Sequence, residues 1–131
     1  MITLRPLRPT DRNYVIKCWL EAAKEYTWAK RLGPTYWGHR KLVERLLDNC
    51  VTTIAALEED DDSIVGFACT GPGLIVHFVY VRDIWQRRGV AHLLLEPFLS
   101  KDVRVTHPLL DRARNLPSRW HFDPYALLEC S

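Results

Sequence analysis

The stretch Leu74–Val81 (LIVHFVYV), followed after a short link by Gln86–Ala91 (QRRGVA), decides the fold of this chain. Every residue of Leu74–Val81 except His77 is apolar or aromatic, which predicts a central strand covered on both faces. An apolar helix opens at Gly89. The first backbone N–H groups of such a helix lack internal acceptors, and its dipole adds positive charge there. Strand, loop and helix together predict an anion site.

The loop residues suit a phosphate ligand. Gly89 and Ala91 are small, so phosphate oxygens can approach the backbone, while Gln86, Arg87 and Arg88 add donors and positive charge. The alternative interpretation of the two arginines is a solvated turn. By itself the pattern is weak evidence, because short patterns with permissive positions occur by chance. Its position between an apolar strand and an apolar helix makes it more specific.

The N-terminal part of the chain predicts one strand and two helices. Thr3–Leu7 forms the strand, and Thr10 and Asp11 offer capping oxygens to the first helix. Apolar residues at helical spacing mark both helices. They are Val15, Ile16, Trp19 and Leu20 in the first helix, and Leu42, Val43, Leu46 and Leu47 in the second, which ends near Asn49.

An antiparallel hairpin precedes the central strand. Val51–Leu57 and Ile64–Thr70 are its apolar arms, and Glu58–Ser63 is its polar turn. The acidic residues of the turn indicate a solvated tip rather than a metal site, because no ligand geometry is implied.

The C-terminal part is less regular. Pro97 bends or ends the helix that opens at Gly89. Val103–Thr106 predicts a fifth strand and Leu109–Asn115 a further helix, and Trp120–Leu128 is either a strand or a loosely packed tail.

Composition indicates an ordinary globular protein. The 131 residues fit a single domain over residues 1–131, with 47% hydrophobic and 26% charged residues. A net charge of +2 argues little for nucleic acid. Without a signal-peptide or membrane-spanning pattern, we expect a cytoplasmic protein, either a monomer or a homodimer. The cysteines are Cys18, Cys50, Cys69 and Cys130, and their wide spacing predicts free thiols and no zinc site.

Gln86, Gly89 and Ala91 satisfy the signature Q/R-x-x-G-x-G/A, and at this point the chain resembles the GNAT superfamily of N-acetyltransferases. The resemblance includes the opening Ile2–Pro6 and Gly66 in the hairpin, and it covers about Met1–Leu99. It implies an α/β (α+β) fold: a mixed, mostly antiparallel central sheet flanked by helices, with a splay between the fourth and fifth strands.

The resemblance also implies acetyl-CoA as the acyl donor and no metal. The backbone of Val79 and Val81 would pair with the pantetheine arm in the splay, and an arginine side chain would reach the adenosine 3′-phosphate. The pyrophosphate would be held by backbone N–H groups of consecutive residues, namely Arg87, Arg88, Gly89, Val90, Ala91 and His92.

In such enzymes a primary amine of a small molecule, protein or peptide attacks the thioester directly, and the Val81 N–H is the oxyanion donor by resemblance. The central strand lacks the carboxylate base found in some family members. His77 and Tyr80 are the competing catalytic candidates, on opposite faces by strand alternation. His77 can equally be a hydrogen-bonded core residue.

An aromatic segment lies where this family builds much of its acceptor pocket. It contains Tyr26, Trp28, Tyr36 and Trp37. These rings can stack on an apolar amine or hold a cationic one. Alternatively, they fill a satellite core.

Two other functions remain open. The first is a GNAT-like module that binds coenzyme A or a protein without catalysis, since fold does not guarantee activity. The second is nucleic-acid binding through phosphate contacts, which the near balance of charges disfavours. It would use Arg82, Arg87, Arg88, Arg112, Arg114 and Arg119.

Overall fold

A computed structural model of the chain describes residues 1–23, 36–106 and 117–129. Their strands form one six-stranded sheet in the order β1-β2-β3-β4-β5-β6. The strands are β1 (Ile2–Pro6), β2 (Val51–Leu57), β3 (Asp60–Gly71), β4 (Ile75–Val81), β5 (Val103–Val105) and β6 (Trp120–Phe122). The helices are α1 (Arg12–Ala23), α2 (Tyr36–Asn49) and α3 (Val90–Leu95), with short 3-10 turns at Pro9–Asp11, Asp83–Trp85, Glu96–Phe98 and Pro124–Glu129.

The sheet is mixed. The pairs from β1 to β4 are antiparallel, whereas β4–β5 and β5–β6 are parallel. Helices pack on both of its faces, so the predicted α/β class with a mostly antiparallel sheet is confirmed. In the described part of the chain, no helix is both long and apolar enough to cross a membrane.

The hairpin turn differs from the sequence prediction. β3 begins at Asp60, so part of the acidic run extends the strand and the turn is shorter than expected. Pro97 ends the α-helical part of its segment, as predicted, because a 3-10 turn begins at Glu96. The helix predicted at Leu109–Asn115 lies outside the described residues.

Two apolar layers hold the sheet. Beneath α1 and α2, Trp19 stacks on Phe78 with ring centroids 4.8 Å apart and planes 7° from parallel. Their neighbours in this layer, which we call the α1/α2 layer, include Val15, Leu20, Val43, Leu46, Ile54 and Phe67. On the other face, the α3 layer includes Ala55, Val65, Ala68, Val76, Val90, Leu94, Val103 and Trp120.

Strand β4 contains a bulge in its middle. Cys69 pairs with Phe78, but the next residue of β3, Thr70, pairs with Val76. His77 is therefore the extra residue, and a bulge of this kind changes the alternation of side chains along the strand.

Strand β5 separates from β4 soon after the two meet. The pairing joins Ile75 to Arg104 and Val76 to Val105, whereas β4 continues to Val81. No described strand pairs with the later residues of β4 on that side. This is the predicted splay between the fourth and fifth strands.

Candidate functional site

The splay leaves backbone groups of β4 open on one side. Arg82 donates its N–H to the carbonyl of Val65 in β3 at 2.9 Å. Alternate residues of an antiparallel pair bond to the same neighbour, so the peptide groups of Val79 and Val81 point the other way, towards the splay. The backbone groups for which the sequence predicts pantetheine binding therefore face the splay.

The loop after β4 is closed by Gln86. Its Nε2 donates to the carbonyl oxygen of Val81 and to Oδ1 of Asp83, both at 3.1 Å. Arg87 and Gly89 then take left-handed backbone conformations, with φ of 63° and 81°. The sequence predicted Gln86 as a donor beside the phosphate, whereas the structure uses its amide to shape the loop.

Helix α3 starts directly from this loop. The carbonyl of Gly89 accepts the first helical bond, from the N–H of Leu93 at 3.0 Å. The N–H groups of Val90, Ala91 and His92 have no intrahelical acceptor, and the described residues supply no other. A Cβ atom placed on Gly89 would meet nothing within 4 Å, so the loop surface there is open. These N–H groups lie at the loop for which the sequence predicts an anion cradle.

Positive charge borders the cradle. Arg87 and Arg88 are exposed, and neither forms an ion pair with a carboxylate of the described residues. The Arg88 guanidinium lies over the Trp85 ring, with Cζ 5.3 Å from the ring centroid. This cation–π contact orients Arg88. Sequence reasoning missed Trp85, although a tryptophan three residues before an arginine in a predicted loop could have suggested it.

His77 is fully buried rather than open to a ligand. Its Nδ1 lies 2.7 Å from Oγ1 of Thr106 and its Nε2 lies 3.5 Å from Sγ of Cys50. Burial lowers the pKa of His77 to about 4, so the imidazole is neutral near pH 7. The resulting cysteine–histidine–threonine chain lacks a base strong enough to ionise a thiol. These contacts favour the core role that the sequence left open.

Tyr80 and His77 lie on the same face of the sheet. Tyr80 and Cys50 both pack against the α1/α2 layer, and His77 contacts Cys50. The prediction of opposite faces is wrong because the bulge at His77 interrupts the alternation.

Tyr80 is the polar side chain of β4 nearest the splay on this face. Its ring lies 5.3 Å from that of Phe67, and it is partly exposed. Burial, with contributions from Cys18 and Asp83, raises the pKa of its hydroxyl. The Tyr80 hydroxyl is protonated near neutrality and has a proton to donate. Cys18 belongs to α1, and no sequence signal indicated that it lies near Tyr80.

The predicted acceptor residues are only partly covered by the structure. Tyr26 and Trp28 lie outside the described residues. Tyr36 and Trp37 begin α2, and their side chains are also outside the described part. The acceptor pocket thus stays a prediction.

The remaining ionisable clusters are accounted for by contacts within the chain. Asp60, Asp61 and Asp62 are exposed and close enough to share a metal ion, but Arg8 pairs with Asp61 at 2.7 Å and with Asp62 at 3.4 Å. Of the cysteines in the described residues, Cys18, Cys50 and Cys69 are free thiols, as predicted.

Comparison with known proteins finds similarity only at the level of structure. No family model and no curated protein matches the sequence. A possible acetyltransferase from Clostridium difficile 630 superposes with a TM-score of 0.61 at 19% identity, over 86% of this chain and 84% of that one. A GCN5-related N-acetyltransferase from Rhodopseudomonas palustris gives 0.51 at 23% identity, over 72% and 61%.

A third structure was solved with a ligand. YncA from Salmonella typhimurium, with its cofactor acetyl-CoA, gives a TM-score of 0.50 at 18% identity, over 77% of this chain and 62% of that one. The chain spans less than two thirds of this protein, of the Rhodopseudomonas protein and of YjaB from Escherichia coli. The sheet order, the splay and these superpositions together establish that the chain has the fold of the GNAT acetyltransferases.

Proposed function

We propose that the chain is an N-acetyltransferase that transfers the acetyl group of acetyl-CoA to a primary amine. One observation carries this proposal: the open backbone edge at Val79 and Val81 and the N–H cradle at the start of α3 lie at the two ends of a single loop. The first suits an amide-containing chain and the second suits a phosphate.

The residues present fit coenzyme A. Val90, Ala91 and His92 would donate backbone N–H groups to the pyrophosphate, and Arg87 and Arg88 would add positive charge. The backbone groups of Val79 would bind the pantetheine arm, and Val81 would contribute its N–H, which would stabilise negative charge on the acyl oxygen. The similar fold of YncA, solved with acetyl-CoA, supports this choice of donor.

Acetyl-CoA supplies a thioester whose acyl carbon is open to attack by a neutral amine. The new carbon–nitrogen bond replaces the carbon–sulfur bond, the amine loses a proton and coenzyme A leaves as the thiol. The chain contributes chiefly by holding both substrates together. Tyr80, which is protonated near neutrality and whose raised pKa disfavours ionisation further, would donate a hydrogen bond to the departing sulfur. With His77 buried and neutral, the proton of the amine would pass to water.

The acceptor is a small-molecule amine or an amine of a protein or peptide. We propose that it approaches from the side of α1 and α2, because Tyr80 faces that side of the sheet. The aromatic residues Tyr26, Trp28, Tyr36 and Trp37 would line its pocket.

A non-catalytic module that binds coenzyme A is the second candidate. The observation in its favour is that β4 carries no carboxylate and that its one histidine is buried with both nitrogens in contact. Such a protein would bind the donor but would not turn it over.

Calorimetry with acetyl-CoA followed by a thiol-release assay separates these functions. We expect binding, and release of thiol with at least one member of a panel of small amines, peptides and aminoglycosides. Absence of binding at high micromolar acetyl-CoA would contradict both candidates. Binding without turnover across the panel would favour the non-catalytic module.

A further inference from the structure

The side-chain amide of Gln86 joins the two segments that would contact coenzyme A. Its Nε2 donates to the carbonyl oxygen of Val81, the last residue of β4, and to Oδ1 of Asp83 in the following turn. A primary amide carries two N–H groups, so one nitrogen can serve both acceptors. Gln86 directly precedes Arg87, so its side chain links the end of β4 to the start of the cradle.

Gln86 is the partner that the structure gives the Val81 carbonyl. It points towards the splay, where no described strand supplies a ladder hydrogen bond. With the carbonyl bonded to Gln86, the outward-facing donor of the same residue, its N–H, is left for a ligand. The bond also fixes the position from which Arg87 enters its left-handed conformation.

We propose that Gln86 is a positioning residue for coenzyme A: it acts through the Val81 carbonyl to set the strand edge and the phosphate cradle at a fixed separation. This inference rests on the proposed function. One ligand must bind both segments at once, so a change in their separation weakens binding even when each segment keeps its own fold. The bond to Asp83 closes the turn, whereas the bond to Val81 is the one whose loss should weaken binding of coenzyme A.

Two variants separate these bonds. Gln86→Met keeps the length of the side chain without charge and removes both donors. Asp83→Ala removes one acceptor and leaves the bond to Val81 intact. Calorimetry with coenzyme A should show roughly tenfold weaker binding for Gln86→Met, and less than threefold for Asp83→Ala. In the acetyl-transfer assay, Gln86→Met should raise KM for acetyl-CoA far more than it lowers kcat.

A wild-type measurement keeps the test independent of how well the variants fold. Gln86 is the single glutamine of the chain, so selective labelling of glutamine side-chain nitrogen gives one assignable NH₂ group. We expect its protons to exchange slowly with solvent in the free protein and more slowly with coenzyme A bound.

The outcomes distinguish this inference from the proposed function. If the wild-type chain does not bind coenzyme A, the proposed function is wrong. If it binds, and Gln86→Met binds within twofold of it, only the role of Gln86 is wrong. Equal losses in Gln86→Met and Asp83→Ala, or fast exchange of the Gln86 amide in the complex, would also overturn that role.

Discussion

Arg5 and Asp11 form a buried, bidentate ion pair at the start of α1. Nη1 of Arg5 lies 2.6 Å from Oδ2 of Asp11 and Nη2 lies 3.1 Å from Oδ1, with side chains 8% and 7% exposed. Asp11 also accepts the N–H of Arg8, and Arg5 Nε donates to the carbonyl of Asp61. The pair therefore connects β1, the entry to α1 and the β2–β3 hairpin.

Replacing Asp11 by asparagine should lower the free energy of unfolding by about 3 kcal/mol, because it leaves the Arg5 guanidinium buried without a counter-charge. Urea denaturation at pH 7 measures the change. Asp62→Asn is the matched control, since the Asp62 carboxylate is 84% exposed in its pair with Arg8 and should barely move the urea midpoint. Equal midpoints for the two variants would show that the buried pair contributes no more than a surface pair.

The ion pair of Arg5 and Asp11 also makes the stability of the protein depend on pH. The hydrogen bond from Arg5, aided by the N–H of Arg8, lowers the pKa of Asp11 below its ordinary 3.8 against the opposing effect of burial. The contribution is therefore present above pH 3.8 and is lost as pH falls through the lower value of the folded state. The difference between wild type and Asp11→Asn should shrink below about pH 4, which urea titrations at several pH values can follow.

His77 predicts a second pH effect in a different range. Burial lowers its pKa from 6.5 to about 4, so between these values the unfolded chain binds a proton that the folded chain does not. Stability should therefore fall as pH drops from 6.5 towards 4, by roughly 3 kcal/mol in all.

Nitrogen-detected NMR can test whether the protonation of His77 causes this pH dependence. The His77 ring should give the spectrum of a neutral imidazole at pH 5.5, and His77→Phe should flatten the stability profile over this range. A ring that is protonated at pH 5.5 would contradict the buried, neutral state and would reopen its role as a base.

The sequence predicted what depends on local contacts. Gln86–Ala91 was recognisable because a loop, a glycine and a helix start act within a few residues. The bulge at His77 was not, since it is set by the register of β4 against β3 and leaves β-strand propensity unchanged. Position along a strand therefore gave the wrong relation between His77 and Tyr80.

The acidic run shows a second limit of sequence reasoning. The polar run between two apolar segments predicted a turn from Glu58 to Ser63, yet β3 begins at Asp60. Arg8 pairs with Asp61 and Asp62 from more than fifty positions away in the chain, and the Asp61 carbonyl accepts from Arg5. Such long-range neutralisation cannot be inferred from composition.

Gly66 is required for the close approach of β3 to β4. A Cβ atom at this position would lie 2.5 Å from the carbonyl oxygen of Tyr80, a backbone atom that cannot move without displacing the strand. Gly66→Ala should therefore destabilise the protein by about 1–3 kcal/mol. It should also weaken acetyl-CoA binding, because β4 carries the edge at Val79 and Val81.

Gly38 offers a control for this substitution. It lies in α2, where a Cβ atom would meet nothing within 4 Å, so Gly38→Ala should stabilise the protein by up to about 1 kcal/mol. Thermal denaturation of both variants gives the comparison. If Gly66→Ala is as stable as the wild type, the spacing of β3 and β4 is looser than the structure indicates.

Gly89 tests the cradle directly. Its φ of 81° is left-handed, a region that β-branched residues avoid, whereas the space around it is open. Gly89→Val should therefore cost about 1–2 kcal/mol of backbone strain without a packing clash, and the chain should stay folded. Coenzyme A should bind more than tenfold more weakly, because the strained loop no longer directs the N–H groups of Val90 and Ala91 at one point.

Gly89→Asn is the comparison, since asparagine tolerates the left-handed conformation. It should keep the loop and lose less affinity than the valine variant. Calorimetry measures binding, and circular dichroism confirms that both variants fold. If Gly89→Val binds coenzyme A as the wild type does, the pyrophosphate does not lie at the start of α3. The valine changes the backbone conformation at residue 89 and with it the directions of the N–H groups that follow, so a ligand held by those groups would bind more weakly.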